Sequence, residues 1–526
     1  MSALQNDRSL VATVDYEHPV ALHADGSPVE RLEDLPRRRA LATPDLVAVS
    51  AVDGDLTFAG LDALSSRVAQ ALLRDGVRPG DRVAYLGENS AALLAVLYGA
   101  AKAGAVPTAL NTRLAPPEYD YILGDADPAV LVLGAAHAHL ADRAPHASVT
   151  DLDAWLGDVP ATDPGHARGT DETALMFYSS GTTGRPKGVE LTGSAIGHAM
   201  APMTQVCGME LGSVATAPVP FFHVAGLMLA MTSTVAGCTL LLRNPASMAE
   251  LRSFLVDERV SHAVLVPTLL QMLLSEPGVQ DADWSRLRYV IYGSSPIPRP
   301  VIEEATRVFG CEFVQSYGLT ETTGGVTVLD GRDHLDPDTS RLASAGRAFR
   351  TAEVRVVDPV SLADVPPGTR GEVLVRGPMV MKGYWRNPEA TRAVLSDDGW
   401  LRTGDSGSVD ESGYLHLHDR LKDMIVSGGE NVYPAEVESV ITGHPGVAQV
   451  AVVGVPSEKW GESPIAVVVR GPWAHVEADE LIAWTRERLA HYKCPVAVAF
   501  VDALPVNASG KLLKHQLRAE YAGRLV

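Results

Sequence analysis

The stretch MFYSSGTTGRPKGVELT, residues 176–192, concentrates glycines, hydroxyls and one lysine directly after an apolar run. Successive glycines let backbone N–H groups point into one concavity, hydroxyls add donors, and the ammonium group of Lys187 adds positive charge. This composition predicts a cradle for the phosphates of a nucleotide. The spacing differs from the Walker A motif, so a P-loop NTPase is disfavoured whereas nucleotide binding is not. A flexible surface linker is the alternative.

The chain outside this stretch alternates between helical and strand patterns, which predicts an α/β fold with layered, largely parallel sheets. The first elements are TFAGLDALSSRVAQALLRDGV (57–77, helix), DRVAYLG (81–87, strand), SAALLAVLYGAAKAGA (90–105, helix) and VPTAL (106–110, strand). Further strand candidates are AVLVLG (129–134), VATAPV (214–219), CTLLLR (238–243), HAVLVP (262–267) and LRYVIYGSS (287–295).

From about residue 345 the pattern changes to short alternating strands with Gly, Pro and Asp turns, which predicts a small β-rich subdomain. A compact α+β pattern follows, and it includes the segments AEVESVITGH (435–444) and VAQVAVVGVP (447–456). The boundary falls between Arg420 and Asp423. We therefore expect a large N-terminal domain over residues 1–420 and a small C-terminal domain over residues 423–526.

The composition indicates a globular protein. The chain has 526 residues, of which 46% are hydrophobic, and a formal net charge of −20, which argues against nucleic acid or an anionic membrane as partner. Its four cysteines are far apart and fit a reducing cytoplasm as buried small hydrophobes. A signal peptide is not evident, and apolar runs of about 18 residues are missing, so a cytoplasmic protein without integral membrane association is expected.

Two groups of histidines invite comparison with metal sites. His137, His139 and His146 lack partnering acids or thiols in a familiar order, so a surface loop is the preferred interpretation. His416 and His418 lie two residues apart on a strand and share a face, but a third ligand is not apparent. They are interpreted as exposed strand histidines.

Eight segments in order resemble the acyl-adenylate-forming (AMP-binding) superfamily, most closely bacterial fatty-acyl- and aryl-CoA synthetases. The resemblance covers nearly the whole chain beyond about residue 30. The segments are YSSGTTGRPKGV (178–189), PFFHVAG (220–226), YGSSPIP (292–298), QSYGLTE (315–321), GYWRNPEAT (383–391), GWLRTGD (399–405), DRLKDMIVSGGENVYPAEVE (419–438) and ASGKLLK (508–514).

The resemblance implies a two-step, Mg²⁺-dependent ligase. A carboxylate first attacks the α-phosphorus of ATP, giving acyl-AMP and pyrophosphate, and the thiol of CoA then attacks the acyl carbon and expels AMP. Both reactants of the first step are anions, so the site must supply positive charge and fixed donors. The expected fold is a large adenylation domain followed by a small mobile α+β domain.

The resemblance also implies roles for individual residues. Catalytic roles fall on Lys511, Lys187, Thr320, Glu321 and His223, with Glu321 as the magnesium ligand, Thr320 at the α-phosphate and Lys511 between carboxylate and α-phosphate. His223 takes a positional role at the mouth of the acyl pocket. ATP or AMP would be bound by Lys187, Thr320 and Lys511 and by Ser179, Ser180, Gly181, Thr182, Thr183, Gly184, Gly293, Ser294, Ser295, Gln315, Ser316, Tyr317, Gly318, Asp405 and Arg420.

Three further sets follow from the resemblance. The acid would lie against His223, Val224, Leu227, Gly293, Gly318, Gly324 and Gly325. The CoA channel would be lined by Ser427, Gly428 and Gly429. Lys422 would be the hinge about which the small domain swings between the two half-reactions, because an exposed charged residue changes its backbone angles at little cost.

Ordinary structural explanations stand beside these assignments. Glu321 could equally be an acidic residue at the start of a helix, and Asp405 part of an ordinary Gly-Asp turn. His223 could be a histidine of the core, and Lys511 a lysine exposed to solvent. Two positions depart from the family pattern: Gly193 stands where many relatives have histidine, and Val506 where many have arginine. These departures weaken the CoA assignment more than the adenylation assignment.

Other functions therefore stay open. The nearest keeps the adenylate and changes the acceptor to a carrier-protein thiol, an amine or a small inorganic nucleophile, and a carrier protein would then act in trans. A nucleotide-binding module without turnover is disfavoured because Lys187, Glu321, Asp405 and Lys511 are all present. Which carboxylic acid is activated does not follow from the sequence.

Overall fold

The structure of the protein is a computed structural model. It describes residues 10–14, 16–18, 20–52, 54–144, 146–179, 186–293, 297–336, 339–420, 423, 425–427, 430–432, 434–457, 460–471, 475–506, 512–522 and 524. By internal packing these residues form two units. The larger unit contains residues 11–354 and 375–401, and the second unit contains Leu10 and the described residues of 355–374 and 402–526.

The larger unit contains two sheets built mainly from parallel strands. In the described part of the chain, one sheet has ten strands, in the spatial order Thr13–Val14, Arg347–Phe349, Gly324–Leu329, Glu312–Leu319, Tyr289–Gly293, His262–Val264, Val214–Thr216, Thr239–Leu241, Val47–Ala51 and Gly54–Thr57. The other has seven, in the order Gly383–Tyr384, Lys187–Thr192, Thr173–Ser179, Val106–Ala109, Arg82–Leu86, Pro128–Leu133 and Ala147–Val149.

Helices between these strands bury their apolar faces, as in Ala91–Lys102, where every residue from Leu93 onward is buried. Several begin at a hydroxyl cap: Thr57 accepts a hydrogen bond from the N–H of Gly60, and Ser90 from that of Leu93. The α-helices of this unit are Asp34–Ala42, Phe58–Arg74, Ala91–Lys102, Pro116–Ala126, Leu152–Leu156, Gly193–Gln205, Val224–Ala236, Met248–Asp257, Pro267–Leu274, Arg299–Phe309, Gly331–His334 and Pro388–Val394. Its 3₁₀ segments are Ala135–Arg143, Val279–Asp281, Thr320–Thr322 and Thr339–Ala343.

The second unit combines most residues of a four-stranded sheet with an α+β region. The strands of the first sheet are Glu353–Val357, Gly371–Arg376, Leu401–Val409 and Leu415–Arg420. The α+β region has a sheet of Glu430–Val432, Ile425–Ser427, Gly461–Arg470, Val447–Ser457 and Ala497–Phe500, the helices Pro434–Thr442, Ala478–Arg486 and Lys514–Tyr521, and the 3₁₀ segment His491–Lys493. Valines and alanines of its two long strands pack against these helices, which gives the region its own core.

The predicted fold class is confirmed, because layered and mainly parallel sheets precede a β-rich sheet and a small α+β region. The division by packing places residues 402–420 with the C-terminal residues, whereas the sequence pattern places the boundary after Arg420. The proposed hinge residue, Lys422, lies outside the described residues. Within the described ranges, no helix is both long and apolar enough to cross a lipid bilayer.

One prediction about histidines is wrong. His416 and His418 are partly buried, and each has a hydrogen-bond partner that the linear pattern does not reveal. His416 Nε2 lies 3.0 Å from Asp410 Oδ2, and His418 Nε2 lies 2.9 Å from Ser408 Oγ. Burial lowers the pKa of His418 to about 4, so this ring is neutral at physiological pH.

Candidate active site

Glu321 lies on a single 3₁₀ turn, Thr320–Thr322, at the carboxyl end of the strand Glu312–Leu319. The next two threonines fix this turn. The Thr322 hydroxyl accepts from the N–H of Leu319 at 2.8 Å and contacts the Gly324 carbonyl at 2.7 Å, and the Thr323 hydroxyl donates to the Met379 carbonyl at 2.7 Å. Side-chain hydrogen bonds, rather than a long helix, therefore hold the backbone around Glu321 in place.

The carboxylate of Glu321 is held by two hydroxyl groups. Its Oε1 accepts hydrogen bonds from the Tyr384 hydroxyl at 2.9 Å and from Ser179 Oγ at 3.2 Å. The backbone carbonyl of Glu321 accepts from the N–H of Met381 at 2.8 Å. Among the residues that the structure describes, none hydrogen-bonds Oε2.

Lys187 contacts or pairs with both residues that hold this carboxylate. It begins the strand Lys187–Thr192 and is the register partner of Ser179 on the antiparallel strand Thr173–Ser179. Its ammonium nitrogen lies 4.8 Å from the centre of the Tyr384 ring, a cation–π contact. Ser179, Lys187, Glu321 and Tyr384 therefore form one cluster, which connects the seven-stranded sheet to the turn after a central strand of the ten-stranded sheet.

This cluster fits a magnesium ion and the phosphates of a nucleotide. Magnesium keeps most of its water molecules and takes one or two protein oxygens, and Glu321 Oε2 supplies one such oxygen. A lysine and a serine hydroxyl are suitable donors to phosphate oxygens. The cradle itself falls partly outside the described residues, which resume at Pro186.

Glycines occupy the carboxyl edge of the central strands, where ligands bind in open α/β sheets. A Cβ atom on Gly293 would lie 2.3 Å from the carbonyl oxygen of Ser316, its register partner. A Cβ on Gly318 would lie 1.8 Å from the carbonyl oxygen of Gly324. Gly293 and Gly318 thus bring neighbouring strands into close backbone contact at this edge.

The predicted acid-binding residues on the helix Val224–Ala236 lie next to this edge. A Cβ on Gly324 would lie 3.9 Å from Val224 Cγ2 and 3.9 Å from Met228 Cγ, so these two side chains face the glycine. Leu227 is fully buried inside the helix packing. Gly325 is close enough to Ser316 Oγ that a Cβ there would lie 2.0 Å away.

His223 stands at the N-terminus of the same helix and packs its ring 4.6 Å from that of Phe222, centre to centre. Burial lowers the pKa of His223 to about 4, so the imidazole is neutral. Its Nε2 is buried and has no hydrogen-bond partner among the described residues. A buried polar atom of this kind is usually paired, so a bound molecule is the expected partner.

The strand Glu312–Leu319 carries the predicted adenine-binding segment. Gln315 pairs in register with Tyr292, and its buried Oε1 has no hydrogen-bond partner within the described ranges. Tyr317 is partly buried and pairs with Thr327 on the antiparallel neighbour.

Three predicted ligand residues lie in the second unit. Asp405 is 8% exposed and is the register partner of Arg420 on the adjacent antiparallel strand. Its N–H donates to the Thr403 hydroxyl at 3.0 Å. Ser427 is buried at the end of the strand Ile425–Ser427. The following predicted residues lie outside the described residues: Ser180, Gly181, Thr182, Thr183, Gly184, Ser294, Ser295, Lys422, Gly428, Gly429 and Lys511.

Comparison with known proteins identifies the family. Residues 36–385 match the family model of the AMP-binding enzymes, and residues 436–511 match that of the AMP-binding enzyme C-terminal domain. The chain belongs to the AMP-binding enzyme family.

Among related AMP-binding enzymes, a feruloyl-CoA synthase from an Amycolatopsis species is 42% identical and covers 92% of this chain and 98% of its own length. The long-chain-fatty-acid–CoA ligase FadD13 of Mycobacterium tuberculosis is 40% identical over 92% of this chain and 97% of its own. ScoC of Streptomyces coeruleorubidus, a fatty acid–[acyl-carrier-protein] ligase, is 38% identical over 91% and 94%. The crystal structure of ATP-bound MatB from Rhodopseudomonas palustris superposes with a TM-score of 0.87 at 31% identity, covering 94% of this chain and 100% of that one.

Several site residues of this AMP-binding enzyme were missed by sequence reasoning. Tyr384 stands in the segment GYWRNPEAT, which carries the resemblance, yet the segment does not reveal that its hydroxyl reaches Glu321. Thr322 and Thr323 follow the recognised QSYGLTE segment and fix the turn. Met228 lies one turn after Val224, so helical spacing alone places it on the same face.

The departure at Gly193 has a steric cause in the structure. A Cβ on Gly193 would lie 2.1 Å from the carbonyl oxygen of Glu30, and one on Gly197 would lie 1.8 Å from that of Val29. The N-terminal segment thus passes directly over this helix, so that a larger residue does not fit. Val506, the second departure, is 54% exposed in the second unit, and nothing in the structure explains the absence of arginine there.

Proposed function

We propose that the chain activates a carboxylic acid as acyl-AMP, with release of pyrophosphate, and transfers the acyl group to CoA. The observation that carries this proposal is the cluster in which Ser179 and Tyr384 hold Glu321 by its Oε1, with Lys187 on the ring of Tyr384. One anchored carboxylate and one placed ammonium group are what a magnesium-bound triphosphate requires.

The first half-reaction brings two anions together. Lys187 and Ser179 would bind the β- and γ-phosphates and retain them as pyrophosphate leaves, and Glu321 would hold Mg²⁺ through Oε2. When bound, the metal neutralises charge that develops on the phosphate oxygens. Thr320, next to the metal ligand, would donate to the α-phosphate, and Lys511 would contact carboxylate and α-phosphate as they meet.

The nucleoside and the acid would occupy the glycine edge of the ten-stranded sheet. Gln315, Ser316 and Tyr317 would contact adenine, and Asp405 with Arg420 would bind ribose and α-phosphate. The acid would lie between Val224 on its helix and the glycines, with His223 Nε2 directed to a polar atom of substrate.

The second half-reaction needs a thiol. Since feruloyl-CoA synthase and FadD13 both carry CoA in their names, CoA is the proposed acceptor. The Ser427 loop would line its channel after the small domain swings about Lys422, and the reaction would take place in the cytoplasm, where ATP, Mg²⁺ and CoA occur. The relatives' names suggest aromatic and long-chain fatty acids as the first substrates to examine.

The experiment is a pyrophosphate-release screen with the purified chain, ATP and Mg²⁺ over hydroxycinnamic, benzoic and straight-chain acids, run with and without CoA. We expect a small stoichiometric release without CoA, because acyl-AMP stays bound, and continuous release with CoA. Mass spectrometry should then identify the acyl-CoA. Failure of every acid to give release above the acid-free reaction would contradict the proposed activity.

A carrier-protein thiol is the second candidate acceptor, and the similarity to ScoC favours including it. The screen is therefore repeated with phosphopantetheinylated acyl carrier protein in place of CoA, and with the unmodified carrier protein as control. Turnover with the modified carrier protein but not with CoA would show that the chain is an acid–carrier-protein ligase rather than a CoA ligase.

A further inference from the structure

Tyr384 contacts both charged groups of the cluster at once. Its hydroxyl donates a hydrogen bond to Glu321 Oε1 at 2.9 Å, while the face of its ring lies 4.8 Å from Lys187 Nζ. A carboxylate and an ammonium group are thus held by two different parts of one side chain. The Tyr384 hydroxyl is thus already engaged by a carboxylate within the cluster.

The position of Tyr384 is fixed by its surroundings. The short strand Gly383–Tyr384 pairs with Lys187–Thr192, and Tyr384 is the register partner of Val189. Its N–H donates to the Thr391 hydroxyl at 2.9 Å, and its carbonyl accepts from Asn387 N–H at 3.1 Å. The residue is 9% exposed, so the ring has little freedom to move.

Each contact has a separate physical effect. A hydroxyl that donates to one carboxylate oxygen restricts rotation of the group and keeps the other oxygen directed outward, as partners of metal ligands do. An aromatic face attracts an ammonium group by its quadrupole and keeps it from pairing with a nearby carboxylate. Without the ring, Lys187 would be free to approach Glu321 and neutralise it.

We propose that Tyr384 is a positioning residue for adenylation, in which the hydroxyl orients the metal ligand Glu321 and the ring keeps Lys187 available to phosphate. This inference rests on the proposed function, because it assigns magnesium to Glu321 and phosphate to Lys187. The two contacts predict two separable defects, one in metal binding and one in nucleotide binding.

Two substitutions separate the contacts. Tyr384→Phe removes the hydroxyl and keeps the ring, and Tyr384→Leu removes both. Mn²⁺ binding is measured by electron paramagnetic resonance with the non-reactive analogue α,β-methylene-ATP, and analogue binding without a divalent metal is measured by calorimetry. Because no acid is present, the result does not depend on knowing the substrate.

We expect Tyr384→Phe to weaken Mn²⁺ binding by about tenfold, the lower end for losing a partner of a metal ligand, with metal-free analogue binding unchanged. Tyr384→Leu should weaken both. Tyr119→Phe is the matched control, because the Tyr119 hydroxyl donates to the Asn111 carbonyl at 3.0 Å. This variant should change neither Mn²⁺ binding nor metal-free analogue binding. Melting temperatures check that each variant is folded.

Wild-type Mn²⁺ affinity in a folded Tyr384→Phe variant would overturn the orienting role, and equal metal-free binding by the Phe and Leu variants would overturn the role of the ring. Failure of the proposed function looks different: the wild-type chain itself would then bind neither the analogue nor Mn²⁺ in its presence, and this result would reject the inference as well.

Discussion

A Cβ atom on Gly318 would lie 1.8 Å from the carbonyl oxygen of Gly324, on the antiparallel neighbouring strand. Real Cβ atoms do not approach a backbone oxygen this closely, so a side chain at residue 318 would displace the neighbouring strand. Gly324 has a φ of +110°, which residues with a side chain rarely adopt. Glycine at these two positions is thus a steric requirement of the fold.

Gly318→Ala should therefore cost stability and acid binding together. Displacing a buried strand is expected to lower the free energy of unfolding by about 3 kcal/mol, in the range of overpacked cores. The KM for the acid should rise, because Gly324 faces Val224 across the proposed pocket. Urea unfolding and pyrophosphate release measure the two effects, and an Ala variant that is as stable as the wild type would contradict the steric explanation.

Gly124→Ala is the matched control and a prediction of its own. Gly124 lies in the helix Pro116–Ala126, and a Cβ there would meet no atom within 4 Å. Alanine in an open helical position should raise the free energy of unfolding by about 0.5–1 kcal/mol. The same urea titration measures it, and turnover should not change. A loss of stability would contradict the open environment of Gly124 in the structure.

The cation of the cluster can be tested directly. Lys187→Ala removes the charge that lies over the Tyr384 ring. It should weaken both ATP binding and the adenylation step, with a loss of about 10²-fold in pyrophosphate release, as for one lost charge-stabilising donor. Lys382→Ala is the control, because that lysine is exposed in the same unit. Unchanged ATP affinity and pyrophosphate release in the Lys187 variant would remove it from the phosphate site.

Local sequence patterns predict the elements of this fold, because each depends on a short periodicity. The strands Arg82–Leu86 and Val106–Ala109 were predictable in this way, as was the helix between them. The cluster was only half predictable. Ser179 and Glu321 are 142 residues apart, and Tyr384 and Glu321 are 63 apart, so their contacts depend on how the sheets pack.

The same limit explains the wrong prediction about exposed histidines. A strand pattern shows which residues share a face, but it does not show what covers that face. His416 meets Asp410 and His418 meets Ser408 because the chain folds back into an antiparallel strand pair, Leu401–Val409 with Leu415–Arg420. Family resemblance supplied roles for residues such as Asp405, which a short Gly-Asp turn does not suggest by itself.

Acid pH should destabilise the larger unit through His23. This residue is 6% exposed, and burial lowers its pKa to about 4 from an ordinary value of 6.5. Above pH 6.5 the ring is neutral in both states, so it does not change stability. Between pH 6.5 and pH 4 this histidine binds a proton in the unfolded chain but stays neutral in the folded chain. The free energy of unfolding therefore falls as the pH falls.

At pH 5 the lowered pKa of His23 reduces the free energy of unfolding by about 2 kcal/mol relative to neutral pH. His23→Gln removes the titrating group, so the loss of stability between pH 7 and pH 5 should be smaller in the variant than in the wild type. Thermal unfolding at the two pH values measures the losses, and His223, with its pKa also lowered to about 4, contributes to the remainder. An equal loss in the two proteins would show that His23 titrates normally in the folded chain.

Lys511 is the lysine that the family resemblance assigns to the adenylation step. Its charge is expected to act only where the carboxylate meets the α-phosphate, so one half-reaction should suffer. Lys511→Ala should make acyl-AMP more slowly by about 10²–10³-fold, as for the loss of one transition-state donor. Supplied with synthetic acyl-AMP, the same variant should transfer the acyl group to CoA at near wild-type rate.

Lys514→Ala is the control for a lysine lost from the same segment. Lys514 Nζ pairs with Glu438 at 2.8 Å, so its loss affects packing in the second unit rather than chemistry. Any resulting instability should slow both half-reactions equally, whereas the Lys511 variant should slow only adenylation. A misfolded protein fails both assays. The ratio of the adenylation rate to the CoA-transfer rate therefore distinguishes a catalytic defect from a loss of folding. Normal acyl-AMP formation by Lys511→Ala, or an equal loss of CoA transfer, would show that this residue is not the adenylation lysine.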